Sequence, residues 1–223
     1  MAPMIVAYET HLNRDLQWAL REGSMFFEQK GGLHLALRKI TQRLGELNIP
    51  YAVAGGMALF FHGFRRFTED VDILVTREGL DRLHRELEGL GYVPLFPGSK
   101  SLRDVECGVR VEFLVSGDYP GDGKPKPVAF PDPQQASIER DGIRWLNLPT
   151  LVELKLASGL TSPGRLRDLA DVQELIRLLG LAADFADQLQ PFVREKYTEL
   201  WRSLHAEPTD APGGGGQDGL PTS

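Results

Sequence analysis

The chain reads as an α/β protein of the α+β kind, a small mixed β-sheet core with N-terminal helices before it and a C-terminal helical subdomain after it. Three observations predict this. Short runs rich in β-branched residues, such as Val71–Val75 and Val109–Val115, have the length and composition of strands. The stretches on either side carry leucines at helical spacing. Glycines, prolines and an Asp-Gly dipeptide separate the runs.

Taken in order, residues 11–22 read as a short helix with Leu12, Leu16, Trp18 and Leu20. Residues 33–47 read as a stronger one, with Leu33, Leu37, Ile40, Leu44 and Leu47. It ends at Asn48-Ile49-Pro50, because a residue before proline is pushed out of the helical region. Residues 1–50 thus form the N-terminal helices. The core, 51–147, opens with a buried strand at Tyr51–Ala54 that stops at Gly55-Gly56, and a helical run follows from Met57 to His62. The strand Val71–Val75 comes next. Leu80, Leu83, Leu87 and Leu90 form one stripe of a surface helix that Gly91 stops. Short strands are expected near Tyr92–Val93, Leu102–Val105 and Val109–Val115.

Residues 116–135 hold five prolines and three glycines. A loop of that length inside a compact domain is either a lid or specificity loop or a plain surface connection. Ser137–Glu139 and Ile143–Leu146 flank Asp141-Gly142, a hairpin signal. The C-terminal part, 148–205, starts with a helix at Leu148-Pro149-Thr150, where proline is tolerated in the first turn. A second helix runs over Arg165–Leu179, and closing helices fill 182–205, with Trp201 as an anchor. Residues 206–223 carry four consecutive glycines and few large apolar residues, which predicts a disordered tail.

Composition excludes several classes. The 223 residues carry 25 Lys and Arg against 31 Asp and Glu, a net charge of −6, so no global basic field draws nucleic acid. A local basic patch from Arg65, Arg66, Lys155, Arg165 and Arg167 remains available. One cysteine, Cys107, rules out an internal disulfide and a cysteine metal cluster. The five histidines show no ligand spacing, and His62 reads as a helix-end residue. The first ten residues lack a basic signal-peptide region, and no apolar run reaches membrane-spanning length. A reducing cytoplasm and no membrane partner are therefore expected.

The chemistry concentrates around Asp70 and Asp72. Side chains alternate along a strand, so Val71, Ile73 and Val75 share one face and the two aspartates share the other, about 7 Å apart at Cα. Two carboxylates so placed can hold divalent metal ions between them. By the same alternation Val111, Phe113 and Val115 form one face of their strand, and Glu112 points the other way. Glycines such as Gly55 and Gly56 let phosphates approach the backbone. On the helix Arg165–Leu179, Asp168 falls about 45° from the centre of the apolar stripe, where a carboxylate is costly unless paired.

The order of strand, Gly-Gly, helix and Asp-Val-Asp on a second strand, with thirteen residues between Gly56 and Asp70, resembles the nucleotidyltransferase superfamily that includes DNA polymerase β. His62-Gly63 and the run Arg66-Phe67-Thr68-Glu69-Asp70-Val71-Asp72 look most like its AbiEii-type toxin branch and other minimal nucleotidyltransferases. The resemblance implies a third carboxylate on a neighbouring strand, with Glu112 as the candidate at a position where aspartate is frequent; the alternative is an exposed glutamate paired with Arg110's side of the sheet. Glu153-Leu154-Lys155-Leu156-Ala157 and Arg167-Asp168-Leu169-Ala170-Asp171-Val172 look like the two later motifs of that branch. There the lysine contacts the nucleotide and the aspartate lies at the catalytic centre; the alternative for Lys155 and Asp168 is a structural ion pair packing two helices.

The resemblance further implies Mg²⁺, or Mn²⁺, held by Asp70, Asp72 and Glu112. It implies a nucleoside triphosphate held by Gly55, Gly56, Arg66, Thr68 and Lys155, with Asp70, Asp72, Lys155 and Asp168 as the catalytic set. The reaction moves a nucleoside monophosphate to an acceptor on transfer RNA, a small molecule or a protein and releases pyrophosphate. An antitoxin partner accompanies the toxin-type reading. A second reading, a catalytically silent nucleotide-binding or antitoxin-like module on the same fold, rests on two departures: Gly56 stands where serine is frequent, and Glu112 where aspartate is.

Overall fold

The computed structural model describes residues 6–206; the expected tail lies outside them except for Ala206. Seven strands form one mixed sheet between two groups of helices.

Three helices precede the sheet: α1 (Tyr8–Arg14), α2 (Leu16–Phe27) and α3 (Gly32–Glu46). The single helix expected over 11–22 is thus two. Asp15 leaves the helical region at φ −125°, ψ 96°, and its carboxylate accepts a hydrogen bond from Trp18 N at 3.0 Å, ending α1 and capping α2. Leu16 and Leu20 face solvent rather than a core. In α3, Leu33, Ala36, Leu37, Ile40 and Leu44 are buried at helical spacing. Its start has only Gly31 as N-cap, so Glu22 of α2 supplies the acceptor: its Oε2 takes hydrogen bonds from Gly32 N and the Tyr8 hydroxyl, each at 3.0 Å.

The sheet segment runs β1 (Tyr51–Val53), α4 (Gly55–Phe61), β2 (Asp70–Val75), α5 (Arg77–Leu87), β3 (Tyr92–Pro94), β4 (Ser101–Asp104), β5 (Arg110–Val115), β6 (Ser137–Arg140) and β7 (Ile143–Leu146). The strand order is β3-β4-β5-β2-β1-β7-β6. β2 pairs antiparallel with β1 and parallel with β5. The Gly-Gly pair is the first turn of α4, not a turn before it. α5 stops at Leu87, because Glu88 is extended and Gly89 has φ +79°, so Leu90 is exposed and outside the expected stripe. The β6–β7 hairpin turns at Asp141-Gly142, both with positive φ as this tight turn requires.

The C-terminal helices are α6 (Leu148–Thr161), α7 (Leu166–Leu179) and α8 (Pro191–His205), with short 3₁₀ turns at Pro163–Arg165 and Ala183–Gln188. Trp201 anchors α8 by donating its indole N–H to Leu181 O at 3.0 Å. Strand alternation divides the core. Val71, Ile73, Val75, Val111, Phe113 and Val115 pack with α3 and α5. Leu74 packs with α6, α7 and α8, and Leu114 lies against that cluster. Asp70, Asp72 and Glu112 are on the Leu74 side, near the starts of their strands, where the face opens toward α6 and α7 instead of being covered.

Candidate functional site

The carboxylates are set by register. β2 and β5 place Asp72 opposite Glu112 and Asp70 opposite Arg110. One oxygen from each of Asp70, Asp72 and Glu112 lies within 4.8 Å of the others. Burial, then the charges of Asp70 and Glu112, push the Asp72 carboxyl up to about 7, well above the ordinary aspartate range. An all-oxygen donor set of three converging carboxylates suits a hard divalent cation, whose charge would relieve the crowding. These residues fit a metal such as Mg²⁺ or Mn²⁺.

The glycines are needed for that cluster to exist. Gly55 has φ +55°, and a Cβ on it would stand 1.7 Å from Asp72 Oδ2. The Asp72 carboxylate lies directly against the Gly55 backbone. A Cβ on Gly56 would stand 2.6 Å from Thr68 Cβ and 2.7 Å from its hydroxyl. Thr68 therefore fills the space a serine at 56 would need, and its hydroxyl donates to Asp70 Oδ1 at 3.1 Å. Across that gap a hydroxyl is restored from the neighbouring segment.

The facing wall comes from α6 and α7. Lys155 Nζ donates to Asp168 Oδ1 at 2.8 Å and to Asp171 Oδ2 at 2.7 Å. Arg66 grips Asp171 with two donors, Nε to Oδ1 at 2.8 Å and Nη2 to Oδ2 at 2.9 Å. Ser158 Oγ donates to Asp168 Oδ2 at 2.7 Å. Burial alone would raise the Asp168 carboxyl, but Lys155, Ser158 and Arg165 together hold it below the usual carboxylate range. Lys155 and Asp168 are thus both an interhelical ion pair and part of the cleft wall. Both Asp168 oxygens are engaged, Oδ1 by Lys155 and Oδ2 by Ser158.

The proline-rich segment closes one side. Lys126 Nζ donates to Pro120 O at 2.5 Å and to Thr161 Oγ1 at 3.2 Å. Gly121, at φ +75°, lies so close to α6 that a Cβ would stand 2.8 Å from Ser158 O. Pro120, Gly121 and Phe130 become cleft lining.

The resulting cleft has a volume of about 540 Å³. It brings together all nine residues singled out from sequence: Gly55, Gly56, Arg66, Thr68, Asp70, Asp72, Glu112, Lys155 and Asp168. Of the expected basic patch, Arg66, Lys155, Arg165 and Arg167 line it. Arg65 instead lies over the Phe60 ring at 5.9 Å. His62 caps α4, with Nε2 2.8 Å from Leu146 O. Cys107 belongs to the opposite core, where burial and then Asp104 push its thiol up to about 12. Sequence reasoning missed Asp171, three residues past Asp168 and hence on the same helix face, and the reach of Arg110, expected only beside Glu112, to Asp70.

No family model matches the chain, and no curated protein matches it. Among solved structures, the chain is similar to ANT(2″)-Ia in complex with adenylyl-2″-tobramycin, at 14% identity over 77% of this chain and 98% of that one, with a TM-score of 0.48. It is similar to an antigenic nucleotidyltransferase-like protein from Paracoccidioides brasiliensis at 18% identity, over 62% and 72% of the two chains, TM-score 0.40. JHP933 from Helicobacter pylori matches at 16% identity over 78% and 89%, TM-score 0.44.

Proposed function

We propose that this protein is a divalent-metal-dependent nucleotidyltransferase of the AbiEii-like kind, moving a nucleoside monophosphate from a nucleoside triphosphate to an acceptor hydroxyl or phosphate and releasing pyrophosphate. The observation that carries the reading is one cleft with three convergent carboxylates on one wall and Arg66 and Lys155 on the other. Transfer of this kind needs positioning and charge neutralisation more than covalent chemistry.

Asp70, Asp72 and Glu112 would hold the cation, which when bound supplies neutralisation of the triphosphate and polarisation of the reacting oxygens. The chain's own groups do the rest. Lys155 uses two of its three N–H donors on Asp168 and Asp171, which leaves one for a phosphate oxygen. Asp171 fixes Arg66 at the cleft edge through two hydrogen bonds, so the guanidinium meets the ligand already oriented. Thr68 pins Asp70, and Gly55 gives Asp72 its room. The segment 116–135, fastened to α6, bounds the cleft from the side and is the proposed determinant of the acceptor.

The test is incubation with each α-labelled ribonucleoside triphosphate and Mg²⁺ in the presence of a cell extract, beside the Asp70→Asn/Asp72→Asn protein. The expected result is label on an RNA, protein or small-molecule fraction with the wild type alone. Absence of labelled product together with absence of Mg²⁺-dependent triphosphate binding would overturn the reading.

A further inference from the structure

The carboxylate cluster has a cation of its own. Arg110 lies across from Asp70 on the adjoining strand and two residues before Glu112, so all three side chains leave the same sheet face. Its Nη2 donates to Asp70 Oδ2 at 2.5 Å and lies 3.7 Å from Glu112 Oε2. Among the described residues it is the only side chain that forms ion pairs within the cluster, with Asp70 and Glu112. Thr68 occupies the other oxygen of Asp70.

Arg110 differs from the remaining cleft cations in how it is held. Lys155 and Arg66 are anchored on Asp171, a nearly fully buried carboxylate that cannot follow them outward. The Arg110 side chain is 38% exposed at the rim, and the residue lines the cleft. A partly exposed pair of this kind is weak and exchanges partners at little cost.

We infer that Arg110 is a displaceable counter-ion: it neutralises Asp70 until a divalent cation enters with a triphosphate, and then transfers its guanidinium from the carboxylate to the phosphate oxygens. This rests on the metal-site reading above. The physical reason is competition. A guanidinium and a divalent cation would compete for the Asp70 carboxylate, and two positive groups that close repel. A triphosphate resolves the conflict by offering Arg110 oxygens that match its planar fork. Bare metal therefore loads against Arg110, whereas the metal–triphosphate complex loads with its help. The site discriminates against free cations and is filled by the pair.

The experiment compares wild type with Arg110→Gln and Arg110→Lys. Mn²⁺ is titrated alone by electron paramagnetic resonance, and ATP, GTP, CTP and UTP are each titrated with Mg²⁺ by calorimetry. The glutamine variant is expected to bind Mn²⁺ alone about fivefold more tightly and the best triphosphate about tenfold more weakly. The lysine variant, which keeps the charge but not the fork, is expected to resemble wild type with Mn²⁺ alone and to lose triphosphate affinity. Unchanged affinities, or shifts of the same sign in both titrations, would overturn the inference while leaving the metal site standing. If wild type binds neither Mn²⁺ alone nor Mg²⁺ with any triphosphate, the metal-site reading fails and the inference falls with it.

Discussion

Replacing Gly55 with alanine tests whether the Asp72 carboxylate depends on the missing side chain. Two costs add. The backbone at φ +55° is strained for any residue with a Cβ, at about 1–2 kcal/mol. The new Cβ would also lie 1.7 Å from Asp72 Oδ2 and 2.6 Å from its Cγ, so Asp72 must leave its position, at about 0.5–1.5 kcal/mol for a distorted rotamer. Together these come to about 1.5–3.5 kcal/mol, or about 3–14 °C in Tm for a domain of this size. Gly98→Ala is the control: its φ is +77°, and no neighbouring atom lies within 4 Å of the added Cβ. It carries the backbone cost alone. Thermal melts of both variants and Mn²⁺ binding by electron paramagnetic resonance decide the matter. Gly55→Ala should melt below Gly98→Ala and lose its metal affinity; equal melting with retained Mn²⁺ binding would refute the argument.

Three further outcomes are expected. Asp171→Ala removes the shared partner of Arg66 and Lys155 and should cost about 3 kcal/mol in chemical denaturation. It should also weaken triphosphate binding, a second readout that a purely structural role would leave unmoved. His34 is buried against Phe26 and Phe60, and burial, then Arg38, pushes its imidazole down to about 4. The unfolded chain then takes up the proton first, so His34's contribution is intact above the ordinary histidine value and is lost as pH falls from about 6.5 toward 4, by about 3 kcal/mol. His34→Leu should flatten that part of the stability–pH curve, and an unchanged slope would contradict the assignment. Gly121→Ala, whose Cβ would press on Ser158 O and Thr161 Oγ1, should lift the loop from α6; parallel assays should find acceptor labelling altered and triphosphate affinity near wild type.

Local pattern made much of the site legible. Two-residue alternation placed Asp70, Asp72 and Glu112 on one face, and that face is where the strands put them. Helical periodicity located Asp168 beside an apolar stripe, and its partial burial follows. What escaped were pairings between groups far apart in sequence. Arg66 meets Asp171 across 105 positions, and Arg110 meets Asp70 across 40; neither has a local signature. The Gly56–Thr68 fit is a volume match between side chains and likewise has none. The N-terminal error had a different cause: leucines on both sides of Asp15 continue an apparent period, while the capping aspartate breaks the backbone.

The acidic wall of the cleft and the segment that closes its side belong to different parts of the fold, with a separate consequence. The carboxylates are fixed by a strand register in which a slip of one residue would turn every acid into the opposite core. The segment 116–135 is held at its base by backbone hydrogen bonds between Gly117 and Phe130 and between Phe130 and Asp118, and at its tip by Lys126 on Thr161. Substitutions between those fastenings leave the strand register alone. The molecule thereby separates a register that admits almost no variation from an exposed stretch, 122–125, that can vary, so on the proposed reading that stretch could be lengthened to fit a different acceptor while Val128 keeps its place in the core and the acidic strands stay as they are.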